Sequence, residues 1–424
     1  MRAKPELLAP AGGWSQLRAA VRFGADAVYL ACDKFGMRAC ATNFALDEMP
    51  AVVEFAHAHD AAVHVTLNTL MDDRDLAQLP EYIAALGAAG VDAFIIADLG
   101  AFSLAREYAP DVDIHVSTQA SVMNAEAAKM WHALGARRVV CAREMSLADI
   151  ATMREKTPAD LEIEAFVHGA MCVAYSGRCL LSAAMTGRSG NKGACAQSCR
   201  WSYALVEEQR PGEYFEIEED TRGTFILNAQ DLNMVEHLDE LARAGVDSFK
   251  IEGRNKQAFY VATVVGAYRS ALDGADVHAA NDELYTISHR PYSTGFYFGR
   301  ADQTLERDGY VKECLHVATV EECVQVGEGR WRVSALCHNR FEADSQLEVV
   351  TPRGFGERIT VDSLVRLAPA DGGQPFVERG DLPLSQVRQL SYEQPEQVAN
   401  RSKEHYLFEV DHPLEPGDYL RKRI

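Results

Sequence analysis

Short apolar runs alternate with amphipathic stretches through the first 275 residues. The runs Glu6–Ala9, Ala27–Ala31, Ala62–Leu67, Ala93–Ala97, Ile114–Ser117, Arg138–Ala142, Ile163–Val167 and Ser248–Ile251 have the length and composition of buried strands. Between them, apolar residues recur every three to four positions, as in SQLRAAVRFG and NAEAAKMWHALG, and several such stretches end in Gly, a common helix stop. Eight strands each followed by a helix, the last helix over Gln257–Gly274, predict an α/β fold of the closed (β/α)8 TIM-like barrel type. A doubly wound open sheet is the alternative.

Successive strand starts lie 21 to 35 residues apart until the seventh, after which the gap is 85. An insertion over about 169–225 therefore follows strand seven. Loops after strands lie on the C-terminal face of such a barrel, where active sites are built. Past Gly274 the pattern changes. A Tyr- and turn-rich stretch over 276–308 reads as a linker, and the alternating runs from 309 to 424 read as a small all-β domain, barrel or sandwich.

The insertion holds Cys172, Cys179, Cys195 and Cys199, four of the ten cysteines, spaced C-x6-C-x15-C-x3-C. Zinc knuckles favour tighter pairs, and only Cys195/Cys199 approaches that. Iron–sulfur clusters tolerate the looser spacing, so a cluster is preferred to zinc. A buried cysteine is otherwise a small hydrophobe, the reading taken for Cys314, Cys323 and Cys337. Cys40, after strand two, is an alternative fourth ligand.

Polar residues cluster where barrel strands should end. Arg143, Glu144, His168, Glu252 and Arg254 are candidate catalytic residues, and Arg38, Asn43, Asn68 and Gln119 candidate substrate-binding residues. Guanidinium groups grip carboxylates in bidentate fashion, so a small carboxylate is the expected ligand. A salt-bridge network among Arg143, Glu144, Glu252 and Arg254 would produce the same pattern without a site.

The formal net charge is −20, which repels nucleic acid in general. From Ala165 to Val206, however, there is no acid, while Arg178, Arg188, Lys192 and Arg200 are present. Arg188 and Lys192 sit in a Gly-rich loop suited to following a phosphate backbone. No apolar run has the length of a membrane span and no N-terminal apolar leader is evident, so a cytoplasmic location and no membrane partner are expected.

The segment EAFVHGAMCVAYSGRCLLS resembles the signature of peptidase family U32, through Glu164, Phe166, Gly169, Ala170, Cys172, Gly177, Cys179 and Ser182. ELLAPAG, HVSTQ, ARE and KIEGR resemble further family blocks. The family is named for a collagenase activity, and other members are oxygen-independent hydroxylases. The resemblance implies a 4Fe-4S cluster on cysteines, prephenate as the hydroxyl source, hydroxylation of a tRNA wobble uridine, and dealings with the iron–sulfur assembly machinery. Some members carry a ligand cysteine in the segment matching Leu227–Asn233. This chain has none there, so the fourth ligand stays open between Cys199 and Cys40. A protease would need a nucleophile with a base or a hydrolytic metal, and neither HExxH nor GxSxG is present. Ser176 or Cys179 with His168 is the remaining peptidase option. A cluster-bearing scaffold without chemistry of its own is the third.

Overall fold

The computed structural model describes residues 4–37, 43–172, 176–201, 230–299, 311–369 and 391–424, with short stretches at 204–205, 215–216 and 384–389. It comprises two compact units, Met1–Asn281 with His289–Val311, and Asp282–Ser288 with Lys312–Ile424.

In the first unit, β1 (Glu6–Pro10), β2 (Ala27–Leu30), β3 (Ala62–Leu67), β4 (Ala93–Ile96), β5 (Asp113–Val116), β6 (Arg138–Val140), β7 (Glu162–Ala170) and β8 (Ser248–Ile251) pair in sequence order, all parallel. β8 also pairs with β1 and closes the barrel. The helices are α1 (Trp14–Arg22), α2 (Met49–His57), α3 (Leu79–Ala88), α4 (Leu99–Tyr108), α5 (Ala125–Ala133), α6 (Leu147–Lys156), α7 (Leu238–Arg243) and α8 (Ala258–Leu272). Side chains cap several of them: Asp98 accepts from Ala101 N–H at 3.0 Å, Asn124 from Ala127 N–H at 2.9 Å, and Ser146 from Asp149 N–H at 3.2 Å. Asp98, polar at a strand end, thus serves its helix. No described helix is long and apolar enough to cross a membrane.

The barrel interior is only partly hydrocarbon. Leu8, Ala27, Tyr29 and Ile95 form a small apolar cluster. The remainder is a chain of buried charges. Arg138 on β6 reaches Glu6 on β1 with Nη1–Oε1 2.6 Å and Nη2–Oε2 3.0 Å. Those strands are not neighbours, so the bond crosses the interior. Arg138 also donates to Glu162 at 2.8 Å and to Glu164 Oε2 at 3.1 Å. The other oxygen of Glu164 accepts from Lys250 Nζ at 2.7 Å. Burial alone would raise the Glu6 carboxyl, but the charge and hydrogen bonds of Arg138 outweigh it and bring Glu6 down to about 2. His64 and His115 meet edge-on beside this chain, ring centroids 4.7 Å apart. Burial, and then nearby Arg138, holds His115 well below the ordinary imidazole range.

β7 runs to Ala170, three residues beyond the apolar run. Its tail pairs antiparallel with a short strand Asp231–Asn233, which pairs in turn with Tyr292–Ser293. Buried Arg290 donates to Asp231 Oδ1 at 3.0 and 2.6 Å, and Tyr297 Oη to Phe166 O at 2.6 Å. These bonds tie 289–299 to the barrel unit. The expected simple linker over 276–308 is therefore corrected: Asp282–Ser288 belongs with the β unit, and the chain then returns to the barrel unit before the β unit resumes at Lys312.

The inserted segment is tied to the rim. Ser121 Oγ donates to Ser176 O, Ser176 N–H and Oγ donate to Glu144 at 3.0 and 3.2 Å, and Leu70 N–H donates to Asn191 O at 2.9 Å. Gly177 has φ +74°, and a Cβ there would stand 2.2 Å from Gln119 O. Only glycine permits that approach.

The second unit is an eight-stranded antiparallel sheet with edge strands Gly354–Thr360 and Ser391–Pro395. Its core includes Val317, Val333, Phe341, Leu347, Phe408 and Leu420. Buried Arg421 donates to Glu283 Oε2 at 3.0 Å, Thr286 at 2.8 Å and Glu348 at 3.0 Å. Cys314 and Cys337 are buried, and burial pushes the Cys337 thiol up to about 12.

Three outcomes are expected. Unfolded imidazoles take up protons near pH 6.5, whereas buried His64, His115 and His168 resist protonation. Stability in urea titrations should therefore be level above about pH 6.5 and decline below it. Glu6→Gln should cost about 3 kcal/mol at neutral pH, and the deficit should shrink as pH falls from about 4.5 toward 2, where the wild-type carboxylate is itself protonated. Separately, Gly177→Ala should cost at least about 1–3 kcal/mol of local stability through its positive φ. Limited proteolysis should then cut within 176–201 faster while far-UV circular dichroism is unchanged.

Candidate active site

One cavity at the C-terminal ends of the barrel strands brings the chemistry together. Strand ends contribute Asn68, Gln119, Arg143, Glu252 and Arg254, and the insertion contributes Cys172, Cys179, Cys195 and Cys199. Residues more than 120 positions apart in sequence thus share one wall.

The strand-end residues are held firmly. Asn68 Oδ1 accepts from Met37 N–H at 3.2 Å, and its Nδ2 donates to Ser117 Oγ at 3.2 Å. Ser117 Oγ also accepts from Gln119 N–H at 3.3 Å. Arg143 Nη2 donates to Glu252 Oε2 at 2.9 Å and Nη1 to Ala170 O at 3.0 Å. Its guanidinium carbon lies 4.0 Å from the centroid of the Phe166 ring. The ion pair foreseen in the sequence therefore exists between Arg143 and Glu252. Glu144 is outside it, occupied by Ser176. Arg254 is 3% exposed and lines the same cavity.

Gly169, in the left-handed region at φ +102°, lets the β7 tail approach the chain after β8: a Cβ would stand 2.5 Å from Glu252 O. This close approach sets the position of Glu252.

His168 is a correction. It is not among the residues lining the cavity. It is buried, its ring against Tyr260, Tyr268 and Tyr292, with Tyr268 Oη 3.4 Å from Nδ1. Burial lowers it to about 3, which keeps the imidazole neutral at ordinary pH. The longer β7 carried it into the ladder and away from the rim.

Among the substrate-binding candidates, Asn43 lies outside the cavity lining and donates its backbone N–H to Gly12 O at 2.9 Å. Arg188 is exposed on the insertion. Lys192 donates to Asp72 at 3.0 Å and Asp75 at 3.4 Å, so acids from the barrel rim answer part of the positive island. Arg38 and Cys40 lie outside the described residues, as does the side chain of Arg200. Near the C-terminus, Arg421 is buried, and Arg423 bonds Glu348 at 2.8 Å and Glu313 at 3.3 Å.

The insertion presents its thiols through internal bonds. Asn191 Nδ2 donates to Cys179 O at 2.8 Å, and Cys179 N–H donates to Asn191 Oδ1 at 3.3 Å. Ser182 Oγ accepts from Ala196 N–H at 2.9 Å, next to Cys195. Gly190 packs where a Cβ would lie 3.7 Å from Cys195 Sγ. Among the described residues, no three His, Cys, Asp or Glu side chains converge into a closed metal-binding group. The donor set itself, four thiols around one cavity, has the chemistry of an iron–sulfur or zinc ligand set. By contrast Cys32 and Cys141, buried and pushed up to about 11 and about 12 by desolvation, are held as thiols.

Among the lining residues that the sequence did not mark, one is charged. Lys250 is 5% exposed and reaches the cavity from the middle of β8. A lysine inside the strand run SFKI carries no signal of its own. The signal available was the charged residue Glu164, equally out of place inside the run IEAFV.

The family model for peptidase family U32 matches residues 12–307. The tRNA hydroxylation protein P1 of Bacillus subtilis is 41% identical over 304 residues, 70% of this chain and 71% of that protein. The tRNA hydroxylation protein P of Escherichia coli is 32% identical and covers 92% of this chain and 96% of its own length. A collagenase of Porphyromonas gingivalis is 31% identical over 87% of each chain. On the extent of these matches, the chain belongs to peptidase family U32.

Proposed function

We propose that the chain is an oxygen-independent RNA hydroxylase acting on a tRNA wobble uridine, with a 4Fe-4S cluster on Cys172, Cys179, Cys195 and Cys199 and prephenate as hydroxyl donor. The observation that carries this reading is the cavity where four thiols from the acid-free stretch Ala165–Val206 meet the polar ends of the barrel strands. Two relatives named as tRNA hydroxylation proteins support it. Zinc in place of the cluster is the competing occupant of the thiols.

A bound iron–sulfur cluster would supply one-electron chemistry. The chain's own residues do the rest. Asn68, its amide held between Met37 N–H and Ser117 Oγ, and Gln119, its backbone N–H on Ser117 Oγ, line the cavity as polar groups for a base edge or a small donor molecule. The Arg143–Glu252 pair gives the wall a fixed dipole, stiffened by Phe166. The insertion contributes part of the cavity lining. Exposed Arg178 and Arg188 provide positive charge on an otherwise acidic chain. The exposed Lys192 pair contributes little to stability, so phosphate can replace its carboxylate partners.

Hydrolysis finds less support. Ser176 Oγ is engaged by Glu144 at 3.2 Å, and no histidine is among the described residues lining the cavity. A serine or cysteine nucleophile there would lack an imidazole base.

Three experiments test the reading. Mass spectrometry of tRNA nucleosides should show a hydroxylated uridine that disappears with the gene and returns with the wild-type chain. Cys172→Ala or Cys179→Ala should lose bound iron and the modification, whereas Cys314→Ala should retain both; a colourless protein with one zinc per chain would refute the cluster. For RNA, Arg188→Ala with Lys192→Ala should weaken tRNA binding and reduce the slope of log affinity against log salt by about 1 to 2, with cluster absorbance unchanged. An unaltered affinity removes this loop from the RNA surface.

A further inference from the structure

We infer that Lys250 is the anion anchor of the cavity, holding the carboxylate of a small organic acid whose hydrocarbon part lies against Tyr29, Ile95 and Val140. The inference rests on the hydroxylation reading only in that this reading requires a small co-substrate.

The cavity's cations are not equivalent. Arg143 spends its two terminal nitrogens on Glu252 and Ala170 O and its face on Phe166. Lys250 makes one hydrogen bond, to Glu164 Oε1 at 2.7 Å. An ammonium carries three donors, so two have no protein acceptor among the described residues. Lys250 lines the cavity, and its nitrogen lies 4.4 Å from the Tyr29 ring centroid and 5.7 Å from that of Phe166. Aromatic faces hold a cation without using its N–H groups.

Glu164 meets this ammonium with one oxygen only. It is 0% exposed, and its second oxygen serves Arg138 at 3.1 Å. Glu164 is thus a positioning residue, fixing where the ammonium points. A buried cation with spare donors is satisfied by an anion.

The surroundings set the class of anion. Tyr29, Ile95, Val140 and Phe166 line the same region. They suit a carboxylate set on an apolar ring. A sulfate or phosphate would leave several oxygens against hydrocarbon, at a desolvation cost that one lysine does not offset.

The test is calorimetric titration of the full-length chain, without RNA, using prephenate and benzoate as probes and sulfate as comparison. Wild type should bind both carboxylates and bind sulfate at least tenfold more weakly. Lys250→Met alone leaves Glu164 and Arg138 unbalanced and risks unfolding. The paired variant Lys250→Met/Glu164→Gln keeps the charge balance, and Lys250→Gln/Glu164→Gln does so with hydrogen-bonding side chains. In either folded pair, carboxylate affinity should fall about tenfold to a hundredfold, the range of a charge-assisted hydrogen bond. Affinity within threefold of wild type, no carboxylate binding by wild type, or sulfate bound as tightly as benzoate overturns the assignment. Carboxylate binding that depends on Lys250 in a strain whose tRNA nucleosides are unchanged would leave the anchor standing and refute hydroxylation alone.

Discussion

The carboxylate of Glu164 holds Lys250 with one oxygen and Arg138 with the other, and the barrel is organised around that link. Charges inside a barrel carry a desolvation cost of several kcal/mol each unless every one is paired. Arg138 meets the condition by reaching Glu6 across the interior, so strands β1, β6, β7 and β8 are locked in one register by ion pairs as well as by the ladder. The same link delivers an ammonium to the cavity floor. Fold and site share these residues: the bond that closes the interior also decides which charge faces a ligand.

The barrel was legible because its strands are apolar runs bounded by turns and its helices carry a 3.6-residue period. The ends of the runs matched to within a few residues, and the 85-residue gap located the insertion. The charged interior was not legible. Glu6, Arg138, Glu164 and Lys250 sit inside or beside apolar runs, where a single sequence does not say which residue across the barrel answers each charge. His168 was misplaced for a related reason. Val167 is the last apolar residue of its run, but hydrogen bonding to Asp231–Asn233, far away in sequence, prolongs the strand past it. Arg421 is a similar case, since it finds Glu283 and Glu348 only in three dimensions.

The rim was legible as a set and not as a list of roles. Polar residues at strand ends do gather at one cavity, and the four cysteines line it with them. Their division of labour depends on neighbours. Asp98 caps a helix, Glu144 secures Ser176, and Arg143 is spent on Glu252 and Phe166. Composition marks which residues are chemically able. The ladder and the close approach at Gly169 and Gly177 determine which face inward.

The passage of the chain from one unit to the other and back limits modular exchange. Between Asn281 and Lys312 the sequence changes unit three times, so no single junction divides the polypeptide into its two folded parts. A break near residue 275 would take Arg290 from Asp231, stranding an acid that is only 3% exposed, and would strip Tyr292–Ser293 from the side sheet. Recombination that swaps the β unit must therefore carry Asp282–Ser288 with it and return His289–Val311 to the barrel. Such an exchange needs three matched junctions at once, which keeps the pair together even where each half has its own core.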